Sequence, residues 1–287
     1  MYFQGILFAR PAFACYNSAR ERKETKVIDV HAHVYPEKIA VRAAESIGQF
    51  YDVSMSHPGS VPELLRCMGQ AGIDRALIHS VAMSPARAAT INDFISGQVR
   101  EHPQELAGYA TLHPDMTESE AGDEFSRAMA LGLKGVKLHN DMQKIAIDDP
   151  RMDKIYDLCQ DTCPLLLHMG DSRYHYDNPA QLPGVLRRFP RLRVIGAHMG
   201  GYTEWQQAFE CLAHEDVIVD CSSSYFVLGK EGLLQAIRFF GADRVMFGTD
   251  FPMWDPGEEL GHVRGLGLTE EELDKILYKN AQSLLGL

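Results

Sequence analysis

Lys26-Val27-Ile28-Asp29-Val30-His31-Ala32-His33-Val34-Tyr35-Pro36 is the stretch on which the reading of this chain turns. Val27, Ile28 and Val30 are β-branched, and Asp29, His31 and His33 recur at every second position, the period of a strand. Both imidazoles therefore leave the backbone on one face, and Pro36 closes the run. Protein partners can hardly satisfy every ring nitrogen of two histidines set side by side at a buried strand end. A divalent cation is a partner that accepts both. A dipeptide pattern this short also arises by accident, so its weight depends on where the other inward polar residues fall.

From Val27 onward, short apolar runs alternate with longer amphipathic ones, which implies βα units around a parallel sheet. Strands are expected at 27–33, 75–81, 106–113, 133–139, 165–168, 192–198, 217–222 and 244–250. Helical patterns fall at 61–71, 86–101, 119–131, 151–161, 180–189, 204–214 and 231–240, and a last amphipathic helix at 270–285. This is the arithmetic of one closed (β/α)8 TIM barrel, a single α/β domain over 26–287. A doubly wound open sheet would place a Gly-rich phosphate turn after its first strand, where this chain carries His31 and His33. The insertion holding Tyr51 to Pro62 reads as a loop and short helix able to cover the barrel mouth.

The formal charge of -11, with no Lys/Arg run, argues against a nucleic-acid partner. No apolar run approaches the roughly 18 residues of a membrane span. Cys15, Cys67, Cys159, Cys163, Cys211 and Cys221 form no CxxC pair and read as reduced thiols, so a cytoplasmic setting is expected. Residues 1–25 form an N-terminal arm set apart from the fold: Tyr2-Phe3-Gln4-Gly5 resembles a tag remnant, and Ile6-Leu7-Phe8 is too brief for an export signal. The partner expected is a small-molecule substrate, with homo-oligomer formation left open.

Active-site groups of such barrels sit at the C-terminal ends of the strands. The first strand ends in His31 and His33; the fourth carries Lys137 and His139 on one face; the fifth ends in His168, the sixth in His198 and the eighth in Asp250. Singly, each has a plain structural reading: a hydrogen-bonded rim histidine, or a helix N-cap for Asp250. Jointly, they place metal-ligand types at matching ends of strands that the fold brings together. His57, His79, His102, His113, His214 and His262 lack such a pattern and read as structural or surface residues.

The order HxH, Lys, His, His, Asp on strands one, four, five, six and eight resembles the amidohydrolase superfamily, closest to the amidohydrolase-related branch that includes aminocarboxymuconate-semialdehyde decarboxylase. Gly135-Val136-Lys137-Leu138-His139, Gly196-Ala197-His198-Met199-Gly200 and Phe247-Gly248-Thr249-Asp250 carry the likeness, which extends to the chain's end. It implies that His31, His33, His168 and Asp250 hold one divalent metal, zinc as first expectation. A second ion would follow if Lys137 is carbamylated. His198 would ligate that ion or stand free beside the first, and His139 would reach substrate.

The expected activity is hydrolysis of a C–N or C–O bond in a small, carboxylated substrate. The cation lowers the pKa of its bound water, Asp250 takes the proton and His198 steadies the oxyanion. Arg173, Tyr225 and Trp254, on loops after strands five, seven and eight, are the further substrate-binding candidates; the Arg173 fork suits a carboxylate, and its plain alternative is pairing with Asp171 or Asp177. The alternative activity is a metal-dependent non-oxidative decarboxylase on the same residues. A barrel that only binds a ligand is the third reading.

Overall fold

The computed structural model describes residues 26–287; the arm and tag remnant assigned to residues 1–25 lie outside the described residues. Eight strands follow one another: β1 (Ile28–His33), β2 (Arg75–His79), β3 (Leu106–Gly108), β4 (Val136–Leu138), β5 (Leu165–Leu167), β6 (Val194–Gly196), β7 (Val217–Asp220) and β8 (Val245–Met246). All ladders are parallel. Two seams close the ring. Ala110 N–H donates to Gly135 O (2.8 Å) and Lys137 N–H to Ala110 O (2.7 Å) between β3 and β4. Val30 N–H donates to Phe247 O (2.9 Å) and Asp250 N–H to His31 O (2.8 Å) between β8 and β1. The result is the expected (β/α)8 barrel.

Alternation along the strands sorts the core into two layers. Leu77, Tyr109, Leu166, Ile195 and Met246 fill the barrel, while Val136, Leu138, Leu165, Leu167 and Val219 pack outward against the helices. β1 breaks this alternation. Val30 belongs to the inner cluster and Ala32 to the outer one, and the register shifts between Asp29 and Ala32. A simple period of two would turn His31 and His33 away from the barrel; the irregularity turns both into its mouth.

The ladders are shorter than the apolar runs because chain segments at the mouth leave strand geometry. His198 and Asp250 both have φ of 57°, and His139 is the N-cap of the short helix Asn140–Gln143. The insertion after β1 is not mainly loop: it forms the 15-residue helix Glu37–Tyr51. A helix at Pro256–Arg264, capped by Asp255, was not anticipated. The helix expected at 231–240 follows a kink at Gly229, whose φ is 64°, and a short helical turn from Ser224 precedes that kink. The closing helix divides at a π-turn over Lys275–Lys279. Among the described residues no helix is long and apolar enough to cross a membrane, and Cys67, Cys159, Cys163, Cys211 and Cys221 are free.

Candidate metal centre and substrate pocket

β1 and the turn after β8 supply the first group. Asp250 Oδ1 lies 3.5 Å from His31 Nε2 and 3.4 Å from His33 Nε2. On its other side, His31 Nδ1–H donates to Asp220 Oδ2 (2.9 Å), with both side chains fully buried. That bond fixes the tautomer: Nε2 keeps its lone pair and faces a carboxylate oxygen. Two acceptors face to face call for a cation between or beside them, and Lys137 Nζ stands 3.4 Å from the same nitrogen. Burial pushes His31 down to about 4, helped by Lys137, and burial also lowers His33. Burial would raise Asp250, but His31 and His33 outweigh it and hold the carboxyl well below its ordinary range. Neutral imidazoles beside an ionised carboxylate are a donor set that fits a divalent cation.

β4, β5 and β6 supply the second group. His198 Nε2 lies 3.0 Å from His168 Nδ1, and the His168 ring stacks on His139 at 3.9 Å. The close approach of β5 and β6 depends on glycine: a Cβ on Gly170, whose φ is +84°, would sit 2.3 Å from the Gly201 backbone. One small pocket joins the two groups; His33, His139, His168, His198 and Asp250 line it with Tyr51. Ile47, Met55, Met142 and Met253 complete an apolar wall.

Three of the expected substrate-binding side chains have protein partners and are not among the pocket's lining. Arg173 pairs with buried Asp171 (Nη2 to Oδ2, 2.6 Å) and donates to the Phe50 carbonyl, so its fork is occupied. Tyr225 stacks on His262 at 3.7 Å, away from the pocket. Trp254 Nε1–H donates to Ser223 Oγ (2.8 Å), whose hydroxyl donates to Asp250 Oδ2 (2.5 Å); Trp254 thus steadies Asp250 rather than walling the substrate.

Three residues at the site escaped the sequence reading. Asp220 ends β7, a position that could have been tested as the other strand ends were. Tyr51 comes from the helix Glu37–Tyr51 and carried no signal. His79, read as structural, is fully buried at the end of β2, with its ring 4.2 Å from that of His33 and both nitrogens unpaired.

A closed (β/α)8 barrel with imidazoles and carboxylates gathered at the C-terminal strand ends is a scaffold with the donor types that suit a divalent cation. A profile of the amidohydrolase family matches residues 28–287, and the chain belongs to that family. It is similar to a 2-amino-3-carboxymuconate-6-semialdehyde decarboxylase of Dictyostelium discoideum, 24% identical over 240 residues, with 70% of this chain and 66% of that protein covered. The match therefore spans just under two thirds of that relative. A gamma-resorcylate decarboxylase of Polaromonas sp. is 26% identical over 258 residues, with 70% and 76% covered. Among solved structures, a dihydroxybenzoic acid decarboxylase from Polaromonas sp., with bound manganese and 2-nitroresorcinol, matches at a TM-score of 0.71 and 19% identity, covering 92% of this chain and 97% of that one.

These proteins are named as decarboxylases, which overturns the expectation of hydrolysis. The error has a physical origin. Both reactions draw on one cation and one set of strand-end ligands, while loops select between them. The cation in the solved relative is manganese, where zinc was the first expectation for this chain.

Proposed function

We propose that this protein is a divalent-metal-dependent, non-oxidative decarboxylase of a small unsaturated or aromatic carboxylic acid. The observation that carries the reading is the pocket itself, a floor of neutral imidazoles and one ionised carboxylate beneath a wall of Ile47, Met55, Met142 and Met253. Such a wall strips water from a bound carboxylate and favours its departure as neutral CO2. The names of the relatives support the same chemistry.

His31, His33 and Asp250 would hold the cation, with His168 as the further imidazole that the family resemblance implies. When bound, the cation supplies a Lewis acid for a substrate oxygen and for the charge that builds as the C–C bond breaks. Imidazole and carboxylate ligands suit zinc and manganese alike, and the manganese of the solved relative favours manganese here. His139, on the pocket wall, contacts substrate.

Loss of CO2 leaves an electron pair on carbon, which must take one proton. Asp250, ionised at rest, relays it from solvent water, which is left as hydroxide: the side chain lines the pocket, and a carboxyl held well below its ordinary range gives up an acquired proton readily. His198, with Nδ1–H donating to Ser222 O at 3.0 Å, stays fixed beside it. Turnover in D2O tests this directly. The product carries one deuterium on the carbon that lost CO2; product without that label contradicts the protonation step.

A further inference from the structure

His57 lies between the helices Glu37–Tyr51 and Val61–Ala71, and its ring joins two carboxylates. Nδ1 is 2.9 Å from Oε1 of Glu63, in the first turn of Val61–Ala71, and Nε2 is 2.9 Å from Oδ2 of Asp255, the N-cap of Pro256–Arg264. Both acceptors are ionised. Hydrogen bonds from Arg66, with His57 adding to them, bring Glu63 down to about 2 against burial. Burial would raise Asp255, but the Glu258 N–H, His57 and the Gly257 N–H outweigh it. A ring with a proton on each nitrogen serves both carboxylates. The other polar neighbours are Arg66, which donates to Glu63 from Nε (2.9 Å) and Nη2 (2.7 Å), and the buried Cys67 thiol, 3.8 Å from either ring nitrogen. Phe251 stacks on the ring, with centroids 5.4 Å apart.

The backbone here is tied to the turn after β8. His57 N–H donates to Pro252 O (3.1 Å), and both the N–H and the hydroxyl of Ser56 donate to Met253 O (3.2 and 2.9 Å). Met55, the next residue back, lines the pocket, as do Pro252 and Met253, whereas His57 does not. We propose that His57 is a positioning residue: by bridging Glu63 and Asp255 it pins residues 52–60 to the turn after β8, and so seats Met55 and Met253 as the apolar wall over the substrate. One ligand-type atom from each of His57, Glu63 and Cys67 lies within 4.8 Å of the others, but the Arg66 guanidinium already neutralises Glu63, which favours the pin over a second cation there. The pin stands apart from any reaction; its effect on substrate rests on the decarboxylase reading.

His57→Leu removes both bonds of the ring. Hydrogen exchange of the full chain, read by mass spectrometry, should show the peptide carrying Ser56 and His57 opening at least about ten-fold faster, the size of one charge-assisted hydrogen bond. Unchanged exchange overturns the pin. Asp255→Asn keeps the helix cap and should speed the same opening about three-fold or more in the parent and add nothing to His57→Leu; additive effects overturn the bridge. Zn2+ that slows this exchange in the parent and not in Cys67→Ala would put a cation in the pin's place and overturn it. In the CO2-release assay, Mn2+-loaded His57→Leu should show KM raised about five- to ten-fold and kcat changed by less than about two-fold. A fall in kcat larger than the rise in KM, or no change in either, overturns the seating of the wall. A parent enzyme that releases no CO2 from any acid sinks the decarboxylase reading and the substrate effect with it; the exchange result still decides the pin.

Discussion

Asp220 Oδ2 accepts the Nδ1–H of His31 across 2.9 Å, at the fully buried junction of β7 and β1. The same carboxylate, on Oδ1, takes the hydroxyl of Ser222 and the backbone N–H of His198. One side chain thus orients parts of both imidazole groups. Burial would raise Asp220, but His31, His198 and Ser222 outweigh it and keep it ionised. Asp220→Asn should weaken divalent-metal binding by about 10- to 100-fold while leaving the barrel folded. Dialysis with circular dichroism checks both halves; unchanged affinity would remove Asp220 from the centre.

Asp250 depends on a series of donors rather than a ring of them. Trp254 Nε1–H holds Ser223 Oγ, and Ser223 holds Asp250 Oδ2. Ser223→Ala should lower kcat about five- to ten-fold. Trp254→Phe should cost less, about two- to three-fold, and nothing further when Ser223 is already alanine. An additive double variant would show that Trp254 acts by another route.

Gly170 is the backbone device that lets His168 reach His198. An added Cβ meets the Gly201 backbone at 2.3 Å and must also adopt a φ of +84°. Gly170→Ala should destabilise the fold by about 2–4 kcal/mol in urea. A loss under about 0.5 kcal/mol would mean that the β5 and β6 turns separate freely.

Glu259 gives stability a pH dependence. Burial first, then Asp250 and Glu258, raises it from 4.5 to about 8, and His262 Nδ1 lies 3.1 Å away. The folded chain keeps a proton that the unfolded chain releases above 4.5. This contribution is full below that value and is lost as pH rises through about 8. Glu259→Gln needs no proton. Its Tm relative to the parent should therefore be about 3 °C or more higher at pH 8.5 than at pH 5.5. A pH-independent difference would contradict the sign.

Much of the barrel could be read from the chain, because βα alternation is a long-range regularity. The helix Val61–Ala71 falls where its periodicity puts it, and each strand was located to within a few residues. Strand ends were overextended for one reason. The residues that carry the site, His139, His198 and Asp250, leave the ladder, and a conformation with φ of 57° has no hydropathy signature. The bulge in β1 was equally invisible, so the inward turn of His31 and His33 was anticipated from a regular alternation that the strand does not keep. For Arg173 the alternative pairing with Asp171 is the one the structure shows, while its second partner, the Phe50 carbonyl on a distant helix, left no sequence signal. Tyr51 was placed only in an insertion able to cover the mouth; the packing of the first long helix is what brings its hydroxyl to His139.

CO2 release with and without metal tests the central claim most directly. Protein freed of metal by a chelator and reloaded with Mn2+ is offered a panel of unsaturated and aromatic acids. The loaded enzyme should release one CO2 per product formed, and the stripped enzyme none. Turnover that survives complete metal removal, or no CO2 from any acid with the cation bound, would contradict the account.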